Sequence, residues 1–247
     1  SDVPIAGGSS ADNEVTGNWQ QFSNGQTFTD AVVVTAMYPS VNTHLAFHSG
    51  YSPTTFTGTV TRAEGRTLHE INGRPAAIVY NEWTNGIIEP FLSGGNVLTA
   101  TTLYPLGRRV GTVGQMPYHR LSHPDSVTKE NGLTLFSDMV TGDEIVLMSG
   151  TRQSLITRAG RVAWKATSLA SMDTRLLDSE KLSGALIIYC AGCMLAIQNE
   201  MGGVAAEIND ALGGVPFISP FTFGEQGCFV NGENYHGNLM ISVVVFE

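Results

Sequence analysis

Cysteine is scarce in this chain. Three in 247 residues, at Cys190, Cys193 and Cys228, are too few for a disulfide framework, and a reducing cytoplasm is the expected setting. Charge is scarce too, at 14% of residues, while 42% are apolar, which fits a compact globular protein. Of the two signs the basic one is rarer: 13 Lys and Arg against 22 Asp and Glu give a formal net charge of −9. A nucleic-acid partner, which needs a basic surface to meet phosphates, is not expected. No apolar run approaches about eighteen residues, and no basic stretch leads into an apolar core, so neither membrane span nor signal peptide is read. Gly-x-Ser-x-Gly, Walker and dinucleotide fingerprints are missing as well; Gly7-Gly8-Ser9-Ser10 imitates a phosphate cradle but no lysine follows it. The chain opens with Ser1-Asp2 rather than Met, which reads as a processed protein or a fragment.

What is present is organised around Leu182–Gly227. Ala185–Tyr189 is a short apolar run that suits a strand buried on both faces. Ile197, Met201, Val204, Ile208 and Leu212 recur at helical spacing and share one face. Gly213-Gly214 supplies the left-handed residues that end a helix. Val215–Ile218 is the next strand, and Phe221–Gly227 leaves it as a loop. The result is a βαβ-like unit with two loops, Cys190–Cys193 and Phe221–Gly227, following neighbouring parallel strands. Ligand sites in α/β folds gather at such strand ends.

Upstream, Val3–Gly8 reads as a short strand entering a glycine turn. Asn24-Gly25 between apolar runs predicts a hairpin of Trp19–Phe22 with Thr27–Tyr38, the valines 32–34 at the centre of its second strand. Asn42–His48 alternates as a strand, which puts His44 and His48 on one face about 13 Å apart, too far to share a metal. Thr55–Thr61 and Arg66–Ile71 form a second hairpin about Glu64-Gly65. Pro75 opens a helix over Ala76–Trp83. Residues 87–95 are loop-like, Val97–Leu106 is ambiguous, and Val110–Leu121, Leu133–Phe136 and Ile145–Met148 read as strands. A helix from Gly150-Thr151 places Leu155, Ala159, Val162, Ala166 and Leu169 inward, and Asp173–Lys181 links it onward. The two ends also resemble each other: VPIAGGSS at 3 and VPFISPFT at 215, Asn24-Gly25 and Asn231-Gly232, Ala31–Val34 and Ser242–Val245. Three ordered matches suggest an internal duplication. The expected fold is therefore α/β, two related lobes of mixed sheets with flanking helices, spanning residues 1–86 and 87–247. The first lobe lacks the βα unit that opens the second, so a longer parent chain or a partner chain is expected to cover it.

Tyr189-Cys190-Ala191-Gly192, Gly214–Ile218, Phe221-Thr222-Phe223-Gly224-Glu225, Tyr235-His236 and the closing Val243–Phe246 resemble the FIST domains, bacterial sensory modules found with signalling partners. Pro4–Ser9, Gly58–Gly65 and Pro105-Leu106-Gly107 match the family's amino half and middle, and the likeness covers nearly the whole chain. The family's amino half starts before the position matching Val3. This chain has His236-Gly237-Asn238-Leu239 where the family tends to show His-Asn followed by Gln-Thr, and Cys193 where an arginine-like residue is common. The resemblance implies a non-catalytic domain that senses small molecules such as amino acids, with an output partner such as a histidine kinase. It also implies haem as a possible cofactor, since some members resemble haem-based nitric oxide sensors, for which His236 would be the axial ligand. A homodimer is a further expectation.

The pocket read from these loops is framed by Cys190, Gly192 and Cys193 on one side and Thr222, Phe223, Gly224 and Glu225 on the other, with His236 beside them. Cys190 and Cys193 have the spacing of a redox pair at a strand-to-helix junction, but a buried structural role or pocket lining is the favoured reading, and a single pair leaves a zinc site incomplete. A thiol-dependent enzyme is the catalytic alternative. Glu225 suits a ligand's ammonium group or the N–H groups of its own turn. His236 pairs with Glu225 if the Asn231-Gly232 hairpin folds back. Arg109, among the few cations, is a candidate for an anionic ligand.

Overall fold

Residues 3–12, 16–113, 116–174, 182–229 and 231–247 are described by the computed structural model. Glycine and asparagine punctuate its first part. Strand β1 (Gly7–Gly8) precedes the Asn-Gly hairpin of β2 (Gln21–Ser23) and β3 (Gln26–Phe28). Its turn residues Asn24 and Gly25 both take positive φ, 51° and 74°, the geometry whose twist matches the strands it joins. The rest of the expected strand does not form: beyond Phe28 the valines 32–34 lie exposed without secondary structure. β-Branched residues favour a strand only where a neighbour completes the ladder and covers a face. Strand β4 (Thr43–Ser49) forms as the alternation predicts, carrying His44 and His48, and β5 (Ser52–Glu64) turns at Gly65 into β6 (Thr67–Ile71). After β7 (Arg74–Pro75), helix α1 (Ala76–Trp83) ends where Asn85 and Gly86 take positive φ. The ambiguous stretch divides into β8 (Gly95–Asn96), helix α2 (Leu98–Thr101) and the start of β9 (Leu106–Val113). Val110–Leu121, read as one strand, is a hairpin of β9 with β10 (Met116–Ser122). Strands β11 (Pro124–Val127), β12 (Leu133–Leu135) and β13 (Glu144–Ser149) follow.

Helix α3 (Arg152–Thr174) buries Leu155, Ala159, Val162 and Ala166 as their spacing requires. Most of the expected link over Asp173–Lys181 lies outside the described residues. In the organising unit, β14 (Gly184–Cys190) runs directly into α4 (Ala191–Ala196), so Cys190–Cys193 is a helix start rather than a loop. A 3₁₀ turn at Gln198–Glu200 separates it from α5 (Met201–Ala211), which stops at Gly213 and Gly214, both with positive φ. The residues expected as a loop over 221–227 are mostly strand. After β15 (Phe217–Ile218) come β16 (Phe221–Thr222) and β17 (Glu225–Cys228), reversed at Gly224, then β18 (Asn234–Gly237) and β19 (Met240–Phe246).

The strands make a mixed α/β architecture. One sheet has the order β15-β14-β19-β4, with β16 also paired to β14; β15 and β16 run parallel to β14, while β19 and β4 are antiparallel neighbours. The parallel crossover expected from the sequence is thus present. Helix α3 packs on α5 and against β4 and β19. A nine-stranded sheet, β10-β9-β13-β5-β6-β12-β11-β8 with β7 on β6, takes strands from both sides of residue 87. A small sheet, β1-β17-β18, bridges the chain's two ends. Of the three matches that suggested a duplication, Asn24-Gly25 and Asn231-Gly232 both sit in hairpin turns. The other two fold unlike one another: Ser242–Val245 lie inside β19, whereas residues 31–34 form no strand, and β1 is antiparallel to β17 whereas β15 is parallel to β14. Two hydrophobic clusters fill the interior, one under the mixed sheet with α3 and α5, the other between the nine-stranded sheet and α1. Among the described residues no helix is long and apolar enough to cross a membrane.

Candidate functional site

Strand register brings the two predicted chain reversals together. Cys190, the last residue of β14, is paired in parallel with Thr222, the last residue of β16. Both turns therefore leave the same sheet edge, and they open onto one narrow cleft that encloses about 20 Å³. Cys190 and Gly192 line it from the first reversal, Phe223 and Gly224 from the second. Gly224 must be glycine: its φ is +99°, and a Cβ there would lie 2.4 Å from His236 Nε2. The opposite wall comes from segments beside the nine-stranded sheet, through Leu98, His123 and Phe136, with Asn238 and Leu239 closing the end between β18 and β19. A cleft between two packed layers is where small molecules commonly bind.

Polar groups in this wall are fixed. His123 Nε2 lies 3.1 Å from the Leu98 carbonyl; since a carbonyl only accepts, Nε2 carries the proton and Nδ1 is the acceptor. Burial lowers the His123 pKa to about 4, so the ring is neutral across the physiological range. Asn238 Oδ1 accepts from the His123 backbone N–H at 3.2 Å, and its own N–H donates to Leu121.

Behind the cleft lies a buried ionic layer that the sequence reading missed. Arg158 is 1% exposed. It donates to the Leu239 carbonyl at 3.0 Å through Nη1, and its guanidinium lies over the rings of Tyr189 and Tyr51, 5.3 and 5.7 Å from their centroids. Gly50 makes the room, since a Cβ at residue 50 would lie 2.3 Å from Arg158 Cδ. Burial opposes the charge, but the Cys193 sulfur foremost, then the two tyrosines, raise the Arg158 pKa. Cys193 responds in kind: burial works against its thiolate, but the Cys190 S–H bond and Arg158 outweigh it, so its pKa falls. Cys190, desolvated and next to that sulfur, moves up and keeps its proton. Tyr51 donates to the Thr102 carbonyl at 2.7 Å, its oxygen 3.7 Å from Cys193 Sγ.

The remaining candidates disperse. Glu225 is fully buried, but its carboxyl group is tied inward, its oxygens accepting from Thr222 Oγ1 and the Met240 N–H at 3.0 Å each. Burial pushes its pKa up to about 8. The expected Glu225–His236 pair does not form. His236 is paired with Gln226 on the β17–β18 ladder and Glu225 with Gly237, so the two side chains leave opposite faces of the sheet. Arg109 is exposed on β9 and does not line the cleft; its neighbour Arg108 is the buried one, bonded to Asp143 at 2.8 Å. Among the described residues no group of three or more His, Cys, Asp or Glu is placed to hold a metal.

Comparison with known proteins agrees with the motifs. Residues 1–74 match the family model of the FIST N domain and residues 76–228 that of the FIST C domain. An uncharacterized protein of Methanocaldococcus jannaschii is 32% identical over 80 residues, which is 32% of this chain and 16% of that protein; the chain spans about a sixth of its relative's length. No solved structure matches. The chain belongs to the FIST family, whose domains are sensory modules of signal transduction.

Proposed function

We propose that this chain is a non-catalytic sensor whose ligand, a small metabolite of amino-acid size, binds in the cleft framed by Cys190, Gly192, Phe223 and Gly224. The observation that carries this reading is the meeting of two strand-end reversals with a wall from segments beside the nine-stranded sheet. A ligand held there touches both walls, so it favours the arrangement of the two that grips it best. The output is a population shift read by a signalling partner such as a histidine kinase. Cleft size sets the ligand class. The cleft encloses only about 20 Å³, room for about one water, so it takes a small molecule only as its walls part, and a haem macrocycle far exceeds it. His236, the residue a haem would need, packs on Gly224 rather than lining the space. The residues present do not fit haem.

Gly192 offers a clean test. A Cβ there meets only ordinary contacts, 3.6 Å from Cys190 Sγ and 3.7 Å from Leu239, so Gly192→Leu fills the cleft without straining the backbone. A panel of free amino acids is expected to raise the Tm of the wild-type protein for at least one member, and of Gly192→Leu for none. Equal shifts in both proteins would place the ligand elsewhere.

A further inference from the structure

We propose that Cys190 and Cys193 are a modification site, a dithiol that closes reversibly to a disulfide by exchange with small-molecule disulfides that reach Cys190 as the cleft opens. The backbone sets the geometry. Cys190 is the N-cap of α4 with extended φ and ψ of −66° and 123°, and Cys193 is the third helical residue. An N-cap side chain lies over the residue three positions on, which places both sulfurs at the first turn of α4. Access is one-sided. Cys190 lines the cleft, whereas Cys193 is fully buried behind it and does not. Charge supplies the second, independent observation. Arg158 Nε and Nη2 are buried without a hydrogen-bond partner, and Glu225 forms no ion pair with Arg158, its oxygens being taken by Thr222 and Met240. The group left to meet this cation is the Cys193 sulfur.

The exchange balances as follows. The pair holds one proton and one negative charge. Cys190 passes its proton to Cys193 and attacks one sulfur of R–S–S–R, forming the mixed disulfide and expelling RS⁻. Cys193 then gives its proton to that thiolate and attacks the Cys190 sulfur, expelling a second RS⁻. The protein loses two electrons, and one RSH and one RS⁻ are released. Because the reduced form keeps a thiolate beside Arg158, reduction is favoured, as in strongly oxidising dithiols whose reduced state is stabilised. The pair is therefore expected to stay reduced until disulfide is in large excess.

The experiment equilibrates the full chain, in a Cys228→Ser background, with mercaptoethanol and hydroxyethyl disulfide over a range of ratios. Acid quenching, alkylation under denaturing conditions and peptide mass mapping then count free thiols. The expected result is joint loss of the Cys190 and Cys193 thiols without an adduct, at high disulfide ratios only, and one mercaptoethanol adduct on Cys190 in Cys193→Ser. Both thiols remaining alkylatable at every ratio, or two separate adducts in the parent protein, would overturn the proposal. Mapping on the parent protein alone decides it should the serine variant not fold.

Discussion

Arg158 carries its charge into a layer from which water is excluded, and isolated ions there are costly. Its neighbours must therefore supply the negative charge, and Cys193 is the group whose titration should show it. In Arg158→Met the Cys193 pKa is expected to rise, read as a later onset of thiolate ultraviolet absorbance with pH, and stability to fall by roughly 3–5 kcal/mol, the usual cost of breaking a buried pair. An unmoved thiol titration would separate the two groups. Glu225 makes the opposite case, a carboxyl held neutral. Its folded pKa of about 8 exceeds the ordinary 4.5, so the folded protein keeps the proton longer than the unfolded chain does. The stabilisation is full below 4.5 and is lost as pH rises to about 8, at up to about 1.4 kcal/mol per pH unit. Glu225→Gln keeps the shape and removes the titration. Relative to that variant, the wild-type protein is expected to lose stability between about pH 5 and 8 in urea titrations, and a constant difference would show the carboxyl to be ionised throughout. The sequence exposed Cys190, Gly192, Phe223 and Gly224 through their places after strands. It did not expose Glu225's inward bonds, which depend on a strand reached fifteen residues later. Arg158 left a trace that went unread: at three residues from Leu155 and one from Ala159, it lies on the buried stripe of its own helix.

Elements were legible where a local rule and the tertiary packing agree. Helix α1 begins after Pro75 and ends before Asn85-Gly86 because both ends are set by backbone chemistry rather than by distant contacts. The valines at 32–34 have equal local β-preference and no sheet to join, so propensity alone misled. Helix contacts give a matched pair of tests at this scale. Gly160 of α3 lies against the backbone of α5, and a Cβ there would be 2.6 Å from the Glu207 carbonyl oxygen. Gly202 of α5 has nothing within 4 Å. Alanine improves helix propensity at either position by up to about 1 kcal/mol. At residue 202 that gain should appear as a higher urea midpoint. At residue 160 the neighbour is backbone and cannot rotate away, so α5 must move. Gly160→Ala is expected to lower stability by about 1–3 kcal/mol, the usual range for overpacking. A stabilised Gly160→Ala would mean that the α3–α5 contact is looser than the geometry implies.

At the scale of the molecule, the two hydrophobic clusters are not separate bodies, and β13 shows why. Its side chains alternate with the period of a strand. Ile145 and Leu147 belong to the cluster beside α1, whereas Val146 and Met148 belong to the cluster beneath α3 and the mixed sheet. One strand thus contributes to both interiors, and loss of either cluster strips a face from the other. The two clusters should accordingly unfold together. Leu147→Ala empties space in the first cluster and is expected to cost about 2–5 kcal/mol; Val146→Ala, in the second, removes less volume and should cost less. Both should shift one shared transition. Fluorescence of Trp83, which packs against the first cluster, and far-ultraviolet circular dichroism of the α3 and α5 helices should keep coincident midpoints in each variant, the usual mark of two-state behaviour. Divergent midpoints in either protein would show that the clusters melt independently. In that event a ligand bridging them in the cleft would have to create the coupling that the shared strand otherwise provides.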